Sequence, residues 1–105
     1  MITMRFDEST DFEWDKGNED KNWLKHQVLK NECEEVFFDI KNIVFKDFLH
    51  STNEKRKIII GKTKVLRLLT MVFTMRKNKI RIISARNASK KEKAIYEKKA
   101  NSTKI

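Results

Sequence analysis

The chain has 105 residues, enough for one domain with a modest core, and its 37% charged and 39% hydrophobic residues describe a polar protein that can still fold. Lysine and arginine number 24 against 15 aspartates and glutamates, and the resulting charge of +9 favours a polyanion or an acidic protein as partner. A single cysteine, two histidines and two glycines exclude an internal disulfide, a conventional structural zinc site and a glycine-rich phosphate loop.

In chain order, residues 1–10 ("MITMRFDEST") read as a flexible leader without the apolar core of a signal peptide. No apolar run approaches the roughly 18 residues of a membrane span, so a cytoplasmic protein without membrane contact is expected. "DFEWD" (11–15) reads as a short strand with Phe12 and Trp14 on one face. Residues 16–26 ("KGNEDKNWLKH") are polar and helix-tolerant, anchored by Trp23 and Leu24. A second helix is better marked: Asn31 is a candidate cap, Glu34 lies three residues on, and Cys33, Val36, Phe37 and Ile40 fall at helical spacing.

The middle of the chain is strand-rich. "IVF" (43–45) is a short strand, and residues 46–56 form a polar connection. Then come "KIII" (57–60), "VLRLLTMVFTM" (65–75) and "KIRIISA" (79–85), joined by links too short for anything but antiparallel neighbours. The long middle run is apolar nearly throughout, as a central strand covered on both faces would be. A capping-box pair, Ser89 and Glu92, opens a lysine-rich helix over 88–100 whose weak apolar stripe is Ala88, Ile95 and Tyr96. The tail 101–105 is expected to fray. The resulting class is α+β: N-terminal helices on one face of a small antiparallel meander of three to four strands, a C-terminal helix, and an open basic face opposite. Residues 11–100 form the single domain. Trp14, Trp23, Phe37, Phe45 and Phe73 are assigned to its core.

One segment resists that assignment. Strict alternation along "RIISAR" (81–86) puts Arg81, Ile83 and Ala85 on one side and Ile82, Ser84 and Arg86 on the other. Arginines on both sides of a covered strand are costly unless each meets a carboxylate or a docking polyanion. Arg86 follows the expected strand end at Ala85, where a turn frees its direction.

These residues carry a pattern. "FEWD" (12–15), "KH" (25–26), "EEVFFD" (34–39), "HSTNEKR" (50–56), "IIIGK" (58–62) and "RIISARNASKKEKAIYE" (81–97) stand in the order and spacing of BrnT-type toxins. The chain resembles that family from about Phe12 to Tyr96, although Gln27, Leu29 and Lys30 replace its usual glycine, serine and aromatic. The resemblance implies a RelE-like fold and a toxin that inhibits growth by metal-independent RNA cleavage, with no cofactor. It also implies a BrnA-like ribbon-helix-helix antitoxin, a heterotetramer with it, and repression of the shared operon, with operator DNA touched only through the antitoxin.

Metal-free cleavage of RNA must remove the 2′-hydroxyl proton, stabilise the phosphorane and protonate the 5′-leaving oxygen. Arginine suits the middle task because its planar fork donates in pairs to phosphate oxygens. By resemblance Arg86 is the leading candidate, with Arg56, Arg76 and Arg81 as phosphate-binding neighbours; the alternative is that each sits in a surface ion pair. Glu54, two residues from Arg56, is a candidate base or merely orients that arginine. Lys25 and His26 are candidates for acid–base work, against a capping or packing role for the histidine. His50 is a weaker candidate. Tyr96 either stacks on a base or anchors the last helix. Lys90 and Lys91 add RNA attraction from a solvated helix face. The competing readings are a non-catalytic basic module for RNA or DNA and a structural partner of an acidic protein.

Overall fold

The longest apolar run becomes the middle of a sheet. The computed structural model describes residues 6, 9–18, 25–47 and 55–102. They form strands β1 (Asp11–Phe12), β2 (Ile43–Lys46), β3 (Lys57–Lys62), β4 (Leu68–Arg76) and β5 (Lys79–Asn87), with helices α1 (Lys30–Phe37) and α2 (Lys90–Ser102). The α+β class and the antiparallel meander agree with the sequence reading, but the sheet has five strands, in the order β1-β5-β4-β3-β2, rather than three or four. The addition is β1, which pairs parallel to β5 through Asp11–Lys79 and Phe12–Ile80. Two residues suffice because Phe12 packs against the main core beside Phe37.

Hairpin chemistry fixes the β4–β5 pair. Lys77 and Asn78 both have positive φ, 49° and 66°, the conformation that a two-residue turn needs to match the strand twist. At the other end, β4 begins at Leu68 and not at Val65. Residues 63–67 form a tight turn closed by Thr63 N–H to Arg67 O at 2.9 Å, which leaves Val65 and Leu66 79% and 72% exposed.

Helix α1 also differs from its expected register. Leu29, not Asn31, occupies the cap position, and Glu32 Oε1 accepts the Leu29 N–H at 3.0 Å. The helix ends at Phe37, so Ile40 lies beyond it and is 69% exposed. Its buried stripe, Cys33, Val36 and Phe37, meets Val44, Ile59, Leu69, Met71, Phe73, Ile80, Ile82 and Ala85 in one core. Phe37 contacts the Phe6, Phe12 and Phe73 rings edge to face at 5.1, 5.4 and 5.0 Å. Cys33 is buried there, and desolvation, with Glu32 and Glu34 nearby, pushes its thiol up to about 12.

The second face is not open throughout. Tyr96 and Ala100 of α2 pack over Ile43 and Ile60, joined by Phe45, Leu68 and Ile95. The stripe that looked weak in sequence closes a second small core. Tyr96 is 3% exposed, its hydroxyl donates to Asp39 Oδ2 at 2.6 Å, and Lys62 Nζ stands 5.5 Å from its ring centroid. Burial and the Asp39 carboxylate raise the tyrosine pKa. Helix α2 thus covers the β2–β3 half and the start of β4, and leaves the rest of this face to threonines, Ser84 and arginines around Val72. Trp14, Phe37, Phe45 and Phe73 pack as expected; Trp23 lies outside the described residues.

Candidate active site

The two arginines of "RIISAR" share a face because β5 carries an extra residue. Phe73 pairs with Ile82 and Val72 with Ser84, so Ile83 is a bulge without a partner across the ladder. Before it Arg81 lies opposite Thr74, and after it Arg86 lies opposite Thr70. Thr70 and Thr74 are on one side of β4, four residues or about 13 Å apart along the strand. The inserted residue inverts the alternation, and both arginines stand on the half-face left uncovered by α2.

A buried asparagine secures the bulge. Asn18 Nδ2 donates to Ile82 O and to Glu13 O, both at 3.1 Å. Its backbone N–H bonds Asp15 Oδ1 at 3.0 Å while its Oδ1 accepts the Asp15 N–H at 2.8 Å. This loop brings two carboxylates to Arg81, whose Nη1 meets Glu13 Oε1 at 3.0 Å and Asp15 Oδ2 at 2.8 Å. Arg81 is only 17% exposed; its guanidinium holds the Asp15 carboxyl below the ordinary range. Arg76 approaches the same Glu13 oxygen at 3.7 Å. A cleft of about 250 Å³ beside this cluster is lined by Gly17, Asn18, Arg56, Arg76, Arg81 and the bulge itself.

The other arginine has its own carboxylate. Arg86 Nη1 and Nη2 donate to Glu92 Oε1 and Oε2 at 2.6 and 2.8 Å, a fork-to-fork pair, and Nη1 also reaches Asn87 O at 3.2 Å. Glu92 is at the same time the third residue of the α2 capping box: its Oε1 accepts the Ser89 N–H at 2.8 Å, and its own N–H bonds Ser89 Oγ at 3.2 Å. The Arg86 guanidinium holds the Glu92 carboxyl down at about 2, against the opposing effect of burial. Lys90 and Lys91 extend from the same exposed first turn, where the positive end of the helix dipole adds to their field.

Lys25 and His26 reach this end of the sheet through a residue the sequence reading missed. Arg67 donates from Nη2 to His26 O at 3.2 Å and from Nη1 to Gln27 O at 3.0 Å. The same guanidinium meets both Glu32 oxygens at 3.1 Å, and its Nε donates to Asn87 Oδ1 at 2.8 Å. It therefore ties the 26–27 backbone, with Gln27 in the left-handed region at φ 54°, to the residue after Arg86. The one available signal was a charge inside the apolar run "VLRLLTM".

Arg56, Arg76 and Arg81 thus come together at one end of the half-face. Arg86, Lys90 and Lys91 gather at the other, with the His26–Gln27 backbone roped to that end and Lys25 next to it in the chain. Glu54 and His50 lie outside the described residues. Among the described residues no group of three or more His, Cys, Asp or Glu could hold a metal ion. A larger cleft of about 560 Å³, between α1 and the β3–β4 turn, is lined by Phe38, Leu66 and Lys62 among others and contains no arginine.

Fold and site define a small basic α+β domain with arginines clasped on one half of a sheet face. Residues 14–92 match the family model described as ribonuclease toxin, BrnT, of type II toxin–antitoxin system, and the chain belongs to that family. Membership implies a ribonuclease with an RNA substrate and an antitoxin partner. No curated protein matches the chain. Among the described residues no helix is long and apolar enough to cross a membrane.

Proposed function

We propose that this toxin is a RelE-like, metal-independent endoribonuclease of the cytoplasm, with single-stranded RNA lying along β5. The observation that carries the reading is the shared face of Arg81 and Arg86, created by the Ile83 bulge. RNA spanning the strip meets the Arg56–Arg76–Arg81 cleft with one phosphate and Arg86 with another. At Arg86 the 2′-oxygen attacks phosphorus and the bond to the 5′-oxygen breaks, leaving a 2′,3′-cyclic phosphate and a 5′-hydroxyl. Arg86 stabilises the charge that develops on the phosphorane oxygens. Lys25 and His26 carry the proton transfers at the Arg86 end, one from the 2′-hydroxyl and one to the leaving oxygen, and Glu54, two residues from Arg56, orients that arginine. Arg81, already held by two carboxylates, positions the strand and does no chemistry.

The partner in this reading is a BrnA-like ribbon-helix-helix antitoxin. It forms a heterotetramer with the toxin, contacts operator DNA on behalf of both, and silences cleavage by covering the arginine face. Incubation of the purified protein with RNA in EDTA tests the central claim. Fragments ending in 2′,3′-cyclic phosphate are expected. Cleavage only when metal is restored, or binding without cleavage, would overturn it.

A further inference from the structure

The donors of Arg86 can be counted. A guanidinium has five N–H groups in a fixed plane. Two are taken end-on by Glu92 and a third by Asn87 O. The remaining two, on Nε and on the adjacent side of Nη2, have no partner among the described residues, and they point the same way as a matched pair. The side chain is 45% exposed. A phosphate or phosphorane presents two oxygens at the spacing such an edge fits.

Resting on the function proposed above, we infer that Glu92 is a positioning residue: it grips the end of Arg86 and thereby aims the guanidinium's side edge at the RNA phosphate. The carboxylate is itself fixed by the capping box, since Ser89 N–H and Arg86 Nη1 share Glu92 Oε1. The fold of α2 is thus coupled to the direction of one side chain. A capping residue alone needs only one oxygen and no charge. Here both oxygens are used, and the Arg86 guanidinium, with the Thr70 hydroxyl beside it, holds the carboxylate charged.

Glu92→Gln separates the two roles. Its amide oxygen still accepts the Ser89 N–H, while its NH2 group opposes the guanidinium and turns it away. In single-turnover cleavage with the full chain, kcat should fall about 10–100-fold with KM changed less than about threefold, because an aimed donor acts mainly on the transition state. The melting temperature should fall because the Arg86 clasp is lost, so cleavage is compared per folded molecule. In an Arg86→Ala background Glu92→Gln should cost nothing more, as expected when one residue acts only through the other. Ser89→Ala is the complementary control: it should lower melting by about 4–8 °C, the scale of one lost cap, without changing kcat.

A readout independent of turnover is the Arg86 Nε–H resonance. It should shift on adding a 2′-deoxy oligonucleotide, which cannot be cleaved, and lose that response in Glu92→Gln. Cleavage by Glu92→Gln at the parental rate or faster, or an equal loss in the Arg86→Ala background, would overturn the inference and leave the ribonuclease reading standing. A parent protein that cuts no RNA while its Nε–H still responds through Glu92 would do the reverse.

Discussion

The Tyr96 hydroxyl donates to Asp39 Oδ2 at 2.6 Å, and the same oxygen accepts the Lys62 N–H at 2.9 Å. Asp39 Oδ1 takes the Lys41 N–H at 2.9 Å. One carboxylate therefore joins α2, β3 and the segment leaving α1. Tyr96→Phe should cost about 1–2 kcal/mol, since Asp39 keeps its two backbone donors. Thermal melting checks this. Cleavage per folded molecule should be unchanged; a loss of more than about tenfold would put the ring against an RNA base instead.

Arg86 and Arg81 should fail differently. Arg86→Ala should cut single-turnover cleavage per folded molecule by at least about 100-fold, the scale of one lost transition-state donor, while melting falls only by what the Glu92 clasp contributes. Arg86→Lys should restore only part, because an ammonium cannot donate as a planar pair. Arg81→Ala strands Glu13 and Asp15 beside each other, so it should lower stability or RNA affinity more than the chemical step. Wild-type cleavage by folded Arg86→Ala would exclude the assigned role.

Acid should weaken the fold through Glu92. Its folded pKa of about 2 lies below the ordinary 4.5, so the unfolded chain binds the extra proton between those values. The contribution is complete above about pH 4.5 and is lost as pH falls towards about 2. Urea midpoints measured from pH 5 to pH 2.5 should drop in the parent and drop less steeply in Arg86→Ala, where the clasp is already gone. Parallel slopes would show that Arg86 does not set the Glu92 titration.

Gly61→Ala should destabilise by about 1–3 kcal/mol. A methyl there would lie 2.9 Å from Val36 Cγ1 and 3.1 Å from Val36 O, so α1 would have to lift from β3. Chemical denaturation gives the number, and a variant as stable as the parent would mean that the helix yields freely.

RNA affinity should be steeply salt-dependent. If the half-face engages about five phosphates, binding of a single strand should fall on the order of 100-fold between 50 and 200 mM salt. Titrations of a 2′-deoxy oligonucleotide at several salt concentrations test this, and a flat response would remove the polyanion from the account.

The meander was legible because three β-branched and aromatic runs joined by links of only three or four residues, 61–64 and 76–78, admit few arrangements. The α2 capping box was legible for the same kind of reason: Ser89 and Glu92 interact within one turn. Three features were hidden. Ile82 and Ile83 are both apolar, so neither residue announces which one leaves the ladder, and the alternation read from Arg81 to Arg86 came out inverted. Arg67 bonds backbone carbonyls some forty residues earlier in the chain, and a carbonyl has no letter in a sequence. The carboxylates of Arg81 come from Glu13 and Asp15, placed by a two-residue parallel strand too short to foresee as a partner of β5.

The bulge makes the arginine face depend on a count and not on an identity. Any side chain at position 83 still occupies one place in the chain, so substitution there leaves Arg86 where it is. Removing Ile83 takes out the bulge and leaves four regular steps, so Arg81 and Arg86 still share a face and Ala85 stays in the α1 core. The stretch that carries the chemistry is thus permissive in spelling and strict only in parity: an odd interval with a bulge, or an even one without. Relatives of this toxin should vary freely in what stands at the bulge, and any that lack the bulge should be one residue shorter between the two arginines.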